Sequence, residues 1–64
     1  MKIYLEQQNK KLNKKFNGSA KKLLGELRIS ASAVLIIKNG ELVTEDELLK
    51  DKDDVKLLSV VSGG

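Results

Sequence analysis

Apolar and polar residues change their spacing several times along this chain, and each change marks an element. At the start, Ile3 and Leu5 alternate with Lys2, Tyr4 and Glu6, a period of two that predicts a strand with one buried face. Gln8, Asn9 and Lys10 break the pattern, and Asn9 can take a left-handed backbone. A second strand is predicted over 11–16, with Leu12 and Phe16 on one face. Lys14 shares that face, which suits an edge strand, where a lysine stem can snorkel and its charge discourages further pairing. Asn17-Gly18-Ser19 ends the hairpin, with Ser19 the expected N-cap of a helix. Ala20, Leu23, Leu24 and Leu27 then fall on one helical face, away from Lys21, Lys22 and Glu26, and the helix is expected to end near 28–30. Gly25 inside it costs about 1 kcal/mol relative to Ala. Either packing holds the helix, or the glycine lets it lie unusually close to a sheet.

The second half reads differently. Val34-Leu35-Ile36-Ile37 is wholly apolar, which predicts a strand shielded on both faces. Asn39-Gly40 signals a tight turn, and Glu41-Leu42-Val43 can leave it as a brief strand. Thr44-Glu45-Asp46-Glu47 resembles a capped turn of helix closed by Leu48 and Leu49. Asp51-Lys52-Asp53-Asp54 is a polar loop, the last strand is expected over 55–61, and Ser62-Gly63-Gly64 is a tail. The order β-β-α-β-β-turn-β predicts an α+β fold of the β-grasp, ubiquitin-like type: a mixed sheet of four to five strands, one main helix on one face, and the first and last strands side by side. A single domain over 1–61 with a flexible tail over 62–64 is expected.

Composition narrows the chemistry. The 64 residues include no Pro, Cys, His or Trp, and one Tyr and one Phe. Without Cys there is no disulfide or thiolate, and without His the usual general base and the commonest metal ligand are missing. A self-contained enzyme is therefore not expected. Twenty residues are Leu, Ile or Val, enough to build a small core. Residues 1–32 carry a net charge of +6 and residues 33–64 a net of −3. The basic half could meet nucleic acid or an acidic partner, but a solvated lysine-rich face is the preferred reading. With Tyr4 and Phe16 the only aromatics, and Phe16 needed in the core, nucleic acid is not an expected partner. The serines have no His to activate them, and Lys52 and Val55 spoil a calcium-loop pattern in 51–55, so neither a nucleophilic site nor a metal site is expected. No apolar run approaches a membrane span, and 1–6 alternates rather than forming a signal core, which suits the cytoplasm.

The C-terminus is the one chemical handle. Val60-Val61 runs straight into Ser62-Gly63-Gly64, placing an ionised, unreactive carboxylate on a thin stalk. Glycines lack Cβ, so they can thread a narrow channel and leave the acyl carbon unobstructed. On its own a Gly-Gly end is ordinary fraying or an expression remnant. Directly after a last strand in a β-grasp layout, it reads as a carboxylate awaiting activation by ATP.

With Asn39-Gly40, Thr44-Glu45-Asp46-Glu47, Asp53-Asp54-Val55 and Val60-Val61-Ser62-Gly63-Gly64, the chain resembles the ThiS/MoaD family of small ubiquitin-like sulfur carriers and its archaeal modifier relatives. The resemblance implies a protein cosubstrate with no bound cofactor. A ubiquitin-activating-type adenylyltransferase would use ATP and Mg²⁺ to adenylate Gly64. A persulfide sulfur donor would then convert Gly64 to a thiocarboxylate. A downstream acceptor enzyme would take the sulfur for thiamin, molybdopterin or tRNA thiolation. In modifier relatives the same glycine is joined to a lysine, which is the alternative function; a small basic nucleic-acid module stands behind both. Lys52 occupies a position where the family usually has Gly, and the basic first half departs from a family that is often acidic.

Alternation also predicts where a partner sits. If the helix covers Ile3, Leu5, Val55 and Leu57, then Tyr4, Leu58 and Val60 form an apolar patch on the other face, unless a loop covers them. These three, with Val61, Ser62 and Gly63 leading to Gly64, are the expected partner-binding residues.

Overall fold

The computed structural model describes residues 1–60. The opening alternation becomes β1 (Lys2–Leu5), and its partner is β2 (Lys10–Asn13), antiparallel with Ile3 opposite Leu12 and Tyr4 opposite Lys11. One turn of 3₁₀ helix, Glu6–Gln8, joins them and closes on Asn9 in the left-handed region at φ 47°. The second strand is shorter than the expected 11–16. The backbone N–H of Lys14 makes a last bond to the Met1 carbonyl (2.9 Å). The N–H of Phe16 then donates to Asp51 Oδ1 (3.1 Å), which draws the chain off the sheet and turns the Phe16 ring into the core.

Short strand β3 (Gly18–Ser19) leads into helix α1 (Ala20–Glu26). Ser19 caps it, its Oγ accepting from the Lys22 N–H at 3.2 Å. The helix stops earlier than the expected 28–30. Arg28 adopts φ 59°, and two bonds close a Schellman motif: Arg28 N–H to the Gly25 carbonyl, and Ile29 N–H to the Leu24 carbonyl. No glycine at the left-handed position announces this stop. Gly25 is exposed, and a Cβ placed on it would meet nothing within 4 Å, so it permits no close approach. Packing holds the helix instead, with Ala20, Leu23 and Leu24 buried.

β4 (Val34–Lys38) and β5 (Glu41–Val43) form a hairpin around Asn39 (φ 50°) and Gly40 (φ 88°), the paired positive φ values that the tight turn demands. The segment 44–47 is a turn, not a helix. The helix N-terminus takes up its carbonyls: Ala20 N–H donates to Glu47 O and Lys21 N–H to Glu45 O, both at 2.8 Å. Leu48 and Leu49 then form β6, antiparallel to β3.

The last strand, β7 (Asp54–Ser59), runs parallel to β1 and antiparallel to β4. The sheet order is β2-β1-β7-β4-β5, so first and last strands are neighbours and β7 is central. The strand starts one residue before the expected 55–61 and ends at Ser59, leaving Val60 just past it; Val61 and the tail 62–64 lie outside the described residues. A five-stranded mixed sheet with one helix packed on it is the β-grasp fold. On the helix side Ile3, Leu5, Val34, Ile36, Val55 and Leu57 join Ala20, Leu23 and Leu24 in one core. β4 is not shielded on both faces as expected: Leu35, between two buried neighbours, is 46% exposed, because α1 covers one side of the sheet only. Among the described residues no helix is long and apolar enough to cross a membrane.

Candidate functional site

The site is built around the outgoing end of β7, which is gripped on both sides. Toward β1, the ladder ends where the chain curls into its 3₁₀ turn, and a side chain takes over: the Ser59 N–H donates to Glu6 Oε1 at 2.9 Å. Toward β4, the Val60 N–H donates to the Ala33 carbonyl at 2.9 Å. Successive N–H groups of an extended chain point to opposite sides, so these two bonds hold both flanks of the strand at its last described residue.

The incoming end is clamped too. Asn39 donates from its Nδ2 to Asp53 Oδ1 (3.0 Å), accepts at Oδ1 from the Asp54 N–H (2.9 Å), and donates its backbone N–H to the Asp54 carbonyl (2.8 Å). The other Asp53 oxygen accepts from the Lys50 N–H at 2.7 Å. That bond, then the one from Asn39, hold the Asp53 carboxyl below its ordinary value although burial acts the other way. Asp51 is lowered as well, first by the Met1 α-amino group at 3.2 Å and then by the Phe16 N–H. The carboxylates of Asp51 and Asp53 thus serve the chain itself, and Asp53, only 7% exposed, belongs to the interior. Lys52 needs no glycine in its place: among the described non-glycine residues positive φ occurs at Asn9, Arg28 and Asn39.

Register fixes the open face. Leu57 lies opposite Ile36 and Leu5 on the helix side, while Leu58 lies opposite Leu35 on the other. Tyr4 is flanked by Lys11 on β2 and Lys56 on β7, and the row continues through Ile37 to Leu42 on β5. Tyr4 and Leu58 are half-buried, Val60 is 40% exposed and Leu42 64%. With Leu35 also 46% exposed, the β4 and β5 side of this face is open to solvent. Of the expected partner-binding residues, Tyr4, Leu58 and Val60 therefore share one side of the sheet; Val61, Ser62 and Gly63, with the expected acyl site Gly64, lie outside the described residues. Tyr4 Oη donates to Asn9 Oδ1 at 3.3 Å, tying the ring toward the β1–β2 turn.

Sequence reasoning missed Leu35, Ile37 and Leu42 as members of this patch. The apolar run 34–37 carries no alternation, so nothing in it tells which residues face out. It also missed Glu6 and the Ala33 carbonyl, whose roles depend on where the chain leaves the ladder.

No curated protein matches the chain closely enough to add a relative. The sequence model described as ThiS family matches residues 3–64, all but the first two positions. With a β-grasp sheet whose central strand leads toward a Gly-Gly end, this chain belongs to the ThiS family of small carriers.

Proposed function

We propose that the protein carries sulfur as a thiocarboxylate on Gly64. Proteins of the ThiS family are small carriers with a sulfur-carrier or ubiquitin-like role rather than enzymes. The observation that supports the finer reading is the placement of β7, central, held at both ends, and followed after Val60 by Val61-Ser62-Gly63-Gly64. Four residues reach at most about 14 Å, enough to carry the carboxylate into another protein's active site while the sheet stays outside it. The carboxylate oxygen attacks the α-phosphorus of ATP, pyrophosphate leaves, and the acyl-adenylate forms. The terminal sulfur of a persulfide donor then adds to the carbonyl and AMP departs, giving an acyl disulfide. A second thiol attacks that S–S bond, is oxidised to a disulfide with the donor cysteine, and releases the thiocarboxylate for an acceptor enzyme. The chain itself contributes position and the acyl carbon; ATP and Mg²⁺ belong to the activating enzyme.

That adenylyltransferase docks on the open face, with Leu58 and Val60 as anchors on the strand that leads to the tail and Tyr4, Leu35 and Leu42 beside them. Val61, Ser62 and Gly63 occupy its channel. The continuity of patch and strand supports this placement, because a partner holding Leu58 also orients Gly64. Deleting Gly63 and Gly64 tests the reading: adenylation is lost, while the melting temperature changes little. Adenylation of the truncated protein overturns it. In cell extract with ATP and a sulfur source, intact mass should rise by the sulfur–oxygen difference; a ladder of larger species on a denaturing gel would indicate conjugation to lysine instead.

A further inference from the structure

The open face has two halves, and Tyr4 is the one docking residue named so far from the second. On β5, β4 and the end of β7 it is apolar, with Leu42, Ile37, Leu35, Leu58 and Val60. On β2, β1 and the start of β7 it is cationic. Lys11 and Lys56 flank Tyr4 directly across the ladder, and Lys2 lies two residues back on β1. All three lysines are exposed, and with Asn9 and Asn13 they line an open groove of about 800 Å³. One carboxylate, Asp54 opposite Lys2, shares it, which leaves a local excess of positive charge.

From this arrangement we infer that the cationic half receives an acidic surface of the activating enzyme, which seats on Lys2, Lys11 and Lys56 around Tyr4 while the apolar half takes the hydrophobic anchors. The inference rests on the carrier reading and adds the chemistry of the partner. Charge complementarity and continuity carry it. The two halves share the row Lys11–Tyr4–Lys56–Ile37–Leu42, so a partner that covers Leu58 and Ile37 also covers Lys56. A nucleic acid would use the lysines and the single ring but would leave Leu35, Ile37, Leu42 and Leu58 facing water. A protein with an acidic patch beside an apolar one satisfies both halves. Such a pairing speeds encounter and rejects activating enzymes of the wrong charge more than it tightens the final complex.

The test measures ATP–pyrophosphate exchange by the purified ubiquitin-activating-type adenylyltransferase of the same organism, with the full chain as varied substrate. Lys11→Glu with Lys56→Glu should raise KM at least about tenfold at low salt while kcat stays within about twofold. Wild-type KM should rise steeply between about 50 and 300 mM salt, and the variant's dependence should be flatter. Lys21→Glu with Lys22→Glu, on the exposed side of α1, makes the same change in net charge away from this face and should leave KM within about threefold. Circular dichroism melts establish that both variants fold. Equal effects from the two pairs would reduce the groove to long-range net charge and overturn the inference. So would an unchanged KM for the Lys11/Lys56 pair, including the case where that pair loses binding to a poly(U) 15-mer, which would assign the groove to RNA. Absence of exchange with the wild-type chain would defeat the carrier reading itself, a result distinct from these.

Discussion

The two faces of one sheet are made from the same strands, one residue out of step, and they do opposite things. On the helix side Ile3, Val55 and Leu57 are 2%, 0% and 2% exposed, and Leu5 and Ile36, which flank Leu57 across the ladder, are buried with it. On the other side Leu35 and Val60 are 46% and 40% exposed, and lysines stand among the apolar residues. Leu57 and Leu58 are chemically identical, adjacent in sequence and on opposite sides. A single step along the chain separates a residue that makes the fold from one the fold merely displays. Pleating alone lets one strand supply both a core residue and a displayed one.

The sharpest way to break the comparison is to place a charge on each side in turn. Leu57→Asp puts a carboxylate into the core and should abolish the cooperative melt followed by circular dichroism. Leu58→Asp should keep a native melt yet weaken binding to the activating enzyme at least tenfold, about 1.4 kcal/mol or more, as read by calorimetric titration. Reversal of the two outcomes would mean that the register of β7 is off by one residue.

Acid should attack the covered side through its loop. Asp53 and Asp51 both have carboxyls held below the ordinary value of 3.8. Their contribution is therefore present above that unfolded value and lost as pH falls through the lower folded values. Urea midpoints should hold between about pH 7 and 5 and fall below about pH 4. In Asp53→Asn, part of that acid loss should already be present at neutral pH, and a flat profile for both proteins would contradict the clamp. Smallest is the effect expected away from both faces. Gly25→Ala, exposed and unobstructed, should stabilise by about 0.5–1 kcal/mol in the same urea assay without altering partner binding.

Local signals carried much of the architecture. Alternation at Ile3 and Leu5, the Ser19 cap, the Asn39-Gly40 turn and the pairing of first with last strand all rest on short-range chemistry, and all recur in the structure. What was not legible depends on contacts distant in sequence. The turn at 44–47 lends its carbonyls to a helix more than twenty residues earlier, and Arg28 takes a left-handed conformation without a glycine to announce it. Leu35 reads as buried because its neighbours are; only the one-sided placement of α1 exposes it. Of the candidate site, the sequence revealed the Gly-Gly end and one face of β7 but not the residues from β4 and β5 beside it.

Asn39 has a consequence that reaches the opposite end of the molecule. Its three bonds to Asp53 and Asp54 lock the β4–β5 turn to the start of β7, as a peg fixes the zero of a ruler. From Asp54 to Val60 the extended chain spans about 20 Å, and every residue beyond is counted from that peg. A slip of two residues would preserve every inward and outward side chain, so the core alone does not forbid it. It would nevertheless lengthen or shorten the free end by about 7 Å, half of the reach available to Gly64. If Gly64 carries the proposed chemistry, the gauge for delivering its carboxylate to a fixed point in another protein is set by an asparagine in a hairpin turn, a full strand's length away.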